Sequence, residues 1–465
     1  MLFLFGLTFL FFLYVGFTFL GRFVLVFFYC FIFILLVIWI IFICFFLCVS
    51  LGLFWIIDFW YFGLIDCFLI VFSFVFSGLY CVLIFFVDIV FVCCIFYCIY
   101  YMFFDLFLIR FVLLFFWFVL CMNFFVLSCD FLTSFIGWEL IGLFSFFLVS
   151  YFWYRYISIK YGFKAFLVSK FGDLFFFLMF IFLFVNFGFF GFWFYVFNFF
   201  CFDYFVSHFS VILICLCGFS KSSQFGLHIW LPDAMEGPIP VSALIHAATL
   251  VVCGIILISF IFRVVDFWFF SIYWLINFVL LLVSVLGCCV FSNFDLKRLV
   301  AFSTILQISF AMFALFLVDL LMGFFLFVYH MFYKATLFLV FGLWIHFFFG
   351  NQDIRFFNLG FFVGWVFARF LVVLAILNSC SLWFLVGFYI KDFVVLIFLL
   401  VGFLVLFEFL FILIFILFFS FGYNFFMLFF LLYFFKCFFF EETLFMCFDF
   451  EHVLIYVFCL IFVLI

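Results

Sequence analysis

Residues 221–250 read KSSQFGLHIWLPDAMEGPIPVSALIHAATL, and they contain all three prolines of the chain. Proline lacks the backbone N–H and clashes with the preceding helical turn, so this stretch predicts an interrupted helix. The same residues carry five ionisable side chains: Lys221, His228, Asp233, Glu236 and His246. In an apolar chain, a broken helix with ionisable groups indicates a transport site surrounded by protein or water.

The composition excludes a water-soluble fold. Of the 465 residues, 76% are hydrophobic and 8% are charged, whereas soluble chains have about 45–50% apolar and about 25% charged residues. A membrane-spanning helix needs roughly 20 residues, so we predict an all-α polytopic membrane protein with about 14 transmembrane helices. Phenylalanine supplies 116 residues, which we interpret as a codon bias of the kind that small organellar genomes often show.

Charge and cysteine usage exclude other classes of function. The net charge of −5 includes no run of like charge, so nucleic-acid binding is not expected. The 20 cysteines lie mostly in apolar runs, without a CxxC motif or a Cys/His cluster. They resemble small hydrophobic residues, so neither a metal site nor disulfides are expected.

Polar islands divide the apolar sequence into predicted spans, without a hydrophilic stretch long enough for a soluble domain. The N-terminus is expected to be a first transmembrane helix and not a cleaved signal. The predicted spans lie near residues 2–20, 23–49, 68–99, 107–128, 131–152, 164–190, 241–262, 267–291, 297–318, 320–347, 362–386 and 393–418, with one or two more before Ile465.

Several ionisable residues fall within these spans, where an acidic or basic side chain costs about 2.5–3.5 kcal/mol. They are Glu139, Lys221, His246, His330, Lys334, Lys391 and Asp392. A buried lysine can gain or lose its proton as a carboxylate moves, and histidine titrates near neutral pH. The pattern predicts a chain of groups for proton transfer. A helix–helix contact for Glu139 and a capping role for His228 remain alternatives.

The residues 221–250 resemble the signature of the antiporter-like membrane subunits of respiratory complex I. DAMEGPIPVSALIHAAT resembles the group called chain 5 more than chains 2 or 4. Further segments follow in the same order: YYMFFDLFLIRF, IGWELIGLFSFFLVSYFWYR, KAFLVSKFGD, FDLKRLVAFSTILQ, HMFYKATLFL, NQDIR and GFYIKD. The resemblance covers roughly residues 95–395.

The resemblance implies two inverted five-helix repeats, each with an interrupted helix. The repeats are expected at residues 107–265 and 266–420, after N-terminal transmembrane helices at 1–106. Residues 421–465 are expected to form a short C-terminal transmembrane part, without the long lateral helix of the family.

The resemblance also implies roles for individual residues. Glu139 matches a glutamate that partners the lysine matched by Lys221, and Asp173 matches an aspartate of the SKFGD segment. The expected proton relay comprises Glu139, Lys221, His246, His330, Lys334 and Lys391, with Asp173, His228 and Asp392 as secondary members. The sequence departs from the family at Gly226, Lys170 and Leu326, where Pro, Arg and His are usual.

The function implied is proton translocation by a membrane-arm subunit of NADH:ubiquinone reductase in the mitochondrial inner membrane, and the gene is expected to lie in the organelle. No cofactor is expected in this chain, since NADH, FMN, iron–sulfur clusters and ubiquinone belong to partner subunits. The expected partners are other complex I subunits, especially chain 4, and membrane lipids. The alternatives are an Mrp-type cation/proton antiporter subunit, a chain 4-like subunit, or a scaffold that no longer pumps.

Overall fold

The computed structural model describes most of the chain between residues 55 and 402. The described ranges are 55–64, 68–76, 78–103, 105–128, 130–187, 204–224, 226–262, 293–317, 320–347, 350–356, 363–380 and 386–402, with 417–418, 422–424 and 427. The spans predicted at 2–20, 23–49 and 267–291 lie outside the described residues. So does most of the C-terminal part predicted at 421–465.

Twelve α-helices are described. They are α1 (Gly78–Tyr101), α2 (Leu108–Leu127), α3 (Phe131–Val149), α4 (Tyr156–Phe187), α5 (Tyr204–Lys221), α6 (Trp230–Asp233), α7 (Ile239–Leu244), α8 (Leu250–Phe262), α9 (Leu296–Leu317), α10 (Leu320–Phe347), α11 (Val363–Ser379) and α12 (Val386–Gly402). Within the described residues, seven helical segments are long and apolar enough to cross a membrane. The chain is therefore a multi-pass membrane protein.

An antiparallel β-hairpin precedes the described helices, within a chain that is otherwise helical in its described part, as expected. Strand β1 (Trp55–Leu64) pairs with β2 (Phe68–Phe76), with an irregularity between Asp58 and Tyr61. The span predicted from residue 68 therefore begins as a helix only at Gly78. The sequences of β1 and β2 are rich in aromatic and β-branched residues. Such residues suit a pair of β-strands as well as a helix in lipid.

Most of the predicted spans have close counterparts among the helices. The spans predicted at 107–128, 297–318 and 320–347 correspond to α2, α9 and α10 within one residue at each end. Helix α12 begins at Val386, seven residues before the predicted 393, so Lys391 lies inside this helix. The start of α12 was predicted too late because the charged pair Lys391 and Asp392 interrupts the apolar run.

The predicted interruption lies between Lys221, the last residue of α5, and Trp230, the first of α6. Ser223 and Gly226 take left-handed backbone angles there, with φ of 53° and 81°. This is a conformation that glycine adopts without steric cost. The chain therefore turns before the prolines and not at them.

The prolines accompany the start of helices. Pro238 is the N-cap of α7, and Pro240 lies in its first turn, where a backbone N–H has no intrahelical partner. A 3-10 turn, Ala234–Glu236, separates α6 from α7. After α7 the helix widens into a π turn, Ile245–Thr249, before it continues as α8.

The segment from α7 to α8 forms the centre of the described bundle, and its residues 239–259 are all buried. It packs closely against α5 through two glycines. A Cβ atom on Gly254 would lie 2.4 Å from the carbonyl oxygen of Gly218 and 2.9 Å from Cβ of Ser222. Small residues permit such backbone approaches between membrane helices, and here the approach fixes the end of α5, where Lys221 lies.

We predict that Gly254→Ala destabilises the protein, since the added methyl meets backbone atoms that cannot rotate away. The expected cost is about 1–3 kcal/mol, as for other overpacked interiors. Thermal unfolding in detergent measures it. Gly142→Ala is the matched control, because its added Cβ meets only Ser169 Oγ, at 3.8 Å. Equal melting temperatures for the two variants would contradict the close contact.

Candidate functional site

A first cluster of ionisable groups joins α3, α4 and α5. Lys170 of α4 forms an ion pair with Glu139 of α3 and lies 3.3 Å from Asp173 Oδ2. Trp138 Nε1 donates a 2.6 Å hydrogen bond to Asp173 Oδ1. Lys221 Nζ donates to the carbonyl oxygen of Trp138 and lies 3.8 Å from the centre of the Trp138 ring. Trp138 thus connects Asp173 to Lys221.

The direct partner of Glu139 is Lys170, and not Lys221 as the resemblance implied. In the described part of the chain, no carboxylate lies within ion-pair distance of Lys221, although its side chain is 1% exposed. Asp173 and, less closely, Glu139 act on it electrostatically. The pairing between Glu139 and Lys221 is therefore indirect in this conformation.

Sequence reasoning noted Lys170 only as a departure from the family and did not assign it a role. A usable signal was present, because Lys170 and Asp173 are three residues apart and so share one face of α4. What the sequence did not indicate is that the long lysine side chain reaches across to α3.

His246 lies in the π turn, and π turns in helices occur frequently at functional sites. Its side chain is 1% exposed, and neither ring nitrogen has a hydrogen-bond partner. Its ring centre is 5.9 Å from that of Trp230, whose Nε1 donates to the Ser220 carbonyl. His228 is half-buried in the interruption, and its Nδ1 also has no partner.

A second cluster joins α9, α10, α11 and α12. Lys334 of α10 donates to the Ser303 hydroxyl of α9. Lys391 of α12 donates a 2.5 Å hydrogen bond to the carbonyl oxygen of Ser379, the last residue of α11. His330 is buried and interacts electrostatically with both lysines. Neither of its ring nitrogens has a hydrogen-bond partner. Asp392 is only partly buried and forms no ion pair in the described part of the chain.

The structure thus brings the predicted residues together in two groups. Glu139, Asp173 and Lys221 lie in the first cluster, and His330, Lys334 and Lys391 in the second. His246 lies on the central helix, which contacts both α5 and α10. Among the described residues, no group of three His, Cys, Asp or Glu side chains is arranged to hold a metal ion.

Lysine and arginine side chains also bind residues 233–237, the segment that follows the interruption. Lys297 of α9 donates 3.3 Å hydrogen bonds to the carbonyl oxygens of Met235 and Gly237. Lys164 forms an ion pair with Asp233. Arg298 Nη2 lies 3.8 Å from Glu236 Oε1, and Arg298 Nε lies 3.5 Å from Asp295 Oδ2. The side chain of Lys297 is 7% exposed and lies in the protein interior.

Residues 128–417, more than half of the chain, match the family model of the NADH:quinone oxidoreductase/Mrp antiporter transmembrane domain. The chain belongs to this family. The family match includes both clusters and the interrupted helix, so it agrees with the resemblance found in the sequence.

Curated relatives of this family support the resemblance to chain 5. NADH-ubiquinone oxidoreductase chain 5 of Trypanosoma brucei brucei is 56% identical over 283 residues, which cover 61% of this chain and 48% of the relative. The protein of the same name from Allomyces macrogynus is 33% identical over 270 residues, 57% of this chain and 41% of the relative. The chain thus spans about half the length of the curated relatives it matches.

Two solved structures share the fold. The Mrp complex from Dietzia sp. DQ12-45-1b matches with a TM-score of 0.69 at 22% identity, over 81% of this chain and 42% of the other. The membrane-bound sulfane sulfur reductase, an archaeal respiratory membrane complex, matches with a TM-score of 0.72 at 19% identity. The match covers 85% of this chain and 80% of the other. The antiporter-like fold is therefore confirmed, while the boundaries of the two inverted repeats stay a prediction.

We predict that Glu139 and Lys170 stabilise each other. A double-mutant cycle with Glu139→Gln and Lys170→Leu should give a favourable coupling of about 0.5–1 kcal/mol, because Lys170 is about one-third exposed. Thermal unfolding of the four proteins measures the coupling. A second cycle that pairs Glu139→Gln with Lys160→Leu is the control. Lys160 is an exposed lysine of the same helix, so its coupling to Glu139 should be zero. A zero value for Lys170 as well would show that the ion pair is not formed.

Proposed function

We propose that this chain is the proton-translocating chain 5 subunit of a respiratory complex I. One observation carries the proposal. Three buried lysines, Lys221, Lys334 and Lys391, each donate to a neutral oxygen of another helix and not to a carboxylate. An unpaired buried charge is costly. Such a lysine therefore holds its proton when a counter-charge approaches and releases it when the counter-charge withdraws.

Asp173 is suited to be the counter-charge of Lys221 in the first cluster, and Lys170 to be the group that moves. Its Oδ2 lies 3.3 Å from Lys170, and its Oδ1 accepts from the indole that contacts Lys221. When Lys170 turns fully toward Glu139, Asp173 is left free to favour a charged Lys221. When Lys170 turns toward Asp173, Lys221 loses that support. The ion pair of Lys170 therefore controls proton uptake at Lys221.

The second cluster would receive the proton and pass it toward the exit. Lys334 and His330 are four residues apart on α10, so both face the same side of the helix. His246 would connect the clusters, because the central helix carrying it contacts α10. The ring nitrogens of His246 and His330 have no hydrogen-bond partner in the described structure, so they are available to accept and donate a proton. Lys391, in α12, is the last member of the relay, as the resemblance implied.

In this proposal the redox chemistry belongs to partner subunits that hold NADH, FMN, iron–sulfur clusters and ubiquinone. The chain would lie in the mitochondrial inner membrane beside chain 4 and other complex I subunits. The relatives from Trypanosoma brucei brucei and Allomyces macrogynus, both named NADH-ubiquinone oxidoreductase chain 5, support this assignment.

The second candidate is cation/proton exchange by an Mrp-type subunit, which the family description and the fold of the Dietzia protein favour. Purification in native lipid separates the two candidates. A chain 5 subunit should copurify with a partner that oxidises NADH and reduces ubiquinone. An exchanger should instead acidify vesicles in response to a sodium or potassium gradient, without any redox partner.

We predict that Lys221→Met lowers proton translocation per electron while the complex still assembles, since methionine retains the bulk but cannot carry a proton. Vesicles containing the complex, energised with NADH, report proton uptake from the fluorescence of a pH-sensitive dye, and NADH absorbance gives the electron flux. Lys160→Met, at an exposed position of α4, is the control and should match the wild type. An unchanged proton-to-electron ratio in Lys221→Met would reject its role in the relay.

A further inference from the structure

A buried carboxylic acid lies outside both clusters. Asp88 belongs to α1, and its partner Asn123 belongs to α2. Their exposed fractions are 3% and 7%, so the pair is sealed between two membrane-spanning helices. Neither residue was singled out by the sequence, and the proposed relay does not use them.

The hydrogen bonding of this pair is incomplete by one proton. Asn123 Nδ2 donates a 3.0 Å hydrogen bond to Asp88 Oδ1. Asp88 Oδ2 and Asn123 Oδ1 are both buried without a partner. An ionised carboxylate and an amide carbonyl both only accept hydrogen bonds, so they cannot satisfy each other. A protonated carboxyl donates one hydrogen bond, and a single proton on Oδ2 would therefore satisfy both atoms.

We propose that Asp88 and Asn123 form a permanent proton-binding site, in which the proton on Asp88 Oδ2 is donated to Asn123 Oδ1. The result is a closed acid–amide pair with two antiparallel hydrogen bonds that joins α1 to α2. The ligand is a single proton. It is retained and not exchanged, because both side chains are buried away from water.

Among the described residues, the neighbouring helices offer no alternative partner for the acid. Helix α1 also contacts α7, the π turn and α10. The ionisable side chains on these elements are His246, Tyr329, His330, Tyr333, Lys334 and His346. None of them forms a hydrogen bond or ion pair with Asp88, whose one hydrogen bond in the described structure is with Asn123. The proposal does not depend on the function of the lysines.

Infrared spectroscopy of the purified complex in lipid tests the proton directly. A protonated carboxyl has a C=O stretching band that a carboxylate lacks. We expect such a band at neutral pH, its loss in Asp88→Asn, and slow exchange of the proton after transfer to deuterated buffer. Glu139→Gln is the control and should keep the band, because Glu139 is ion-paired with Lys170. A spectrum that Asp88→Asn leaves unchanged, or a band that exchanges within the mixing time, overturns the proposal.

Stability measurements provide an independent test. Asn at position 88 can replace a neutral acid, because two amides form the same two hydrogen bonds, but it cannot replace a carboxylate that balances a cation. We expect Asp88→Asn to retain the melting temperature of the wild type. Asp88→Leu and Asn123→Leu should each lower it, since each leaves the other partner's polar atoms unsatisfied. A melting temperature for Asp88→Asn as low as that of Asp88→Leu would contradict a neutral acid. If the variants do not assemble, the wild-type spectrum and its exchange rate decide the question.

Discussion

The structure depends on the requirement that backbone carbonyl groups freed inside the membrane find donors. At the end of a helix the last carbonyls have no intrahelical partner, and lipid offers none. Lysines from neighbouring helices fill this need. Lys297 binds the carbonyls of Met235 and Gly237 beside the interruption, and Lys391 binds the carbonyl of Ser379 where α11 ends. Cationic side chains that reach into the bundle therefore stabilise the interrupted backbone.

This arrangement separates the structural role of a lysine from its charge. An ammonium carries three donors, and a neutral amine still carries two, so the bond to a carbonyl survives the loss of a proton. A lysine held only by a carboxylate would lose most of its attraction on deprotonation. Lys221, bound to the Trp138 carbonyl, and Lys391, bound to the Ser379 carbonyl, can thus change charge without releasing the helices they join.

The sequence predicted the position of the spans far better than the partners of their side chains. Span positions follow from the length of apolar runs, which is why α2, α9 and α10 agree closely. Pairing depends on which face each helix presents. Here both lipid-facing and buried positions are apolar, so the sequence shows no amphipathic face. This is why the reach of Lys170 to Glu139 and the contact of Asp88 with Asn123 appear only in the structure.

The proline cluster has a different role from the one its composition suggested. Pro238 and Pro240 begin α7 at positions that need no backbone N–H, so they direct the chain back into a helix. The interruption itself rests on Ser223 and Gly226, whose left-handed angles end α5 just after Lys221. A proline at residue 226 would impose a negative φ and remove this turn. Glycine at this position permits the turn that the proline usual in the family would exclude.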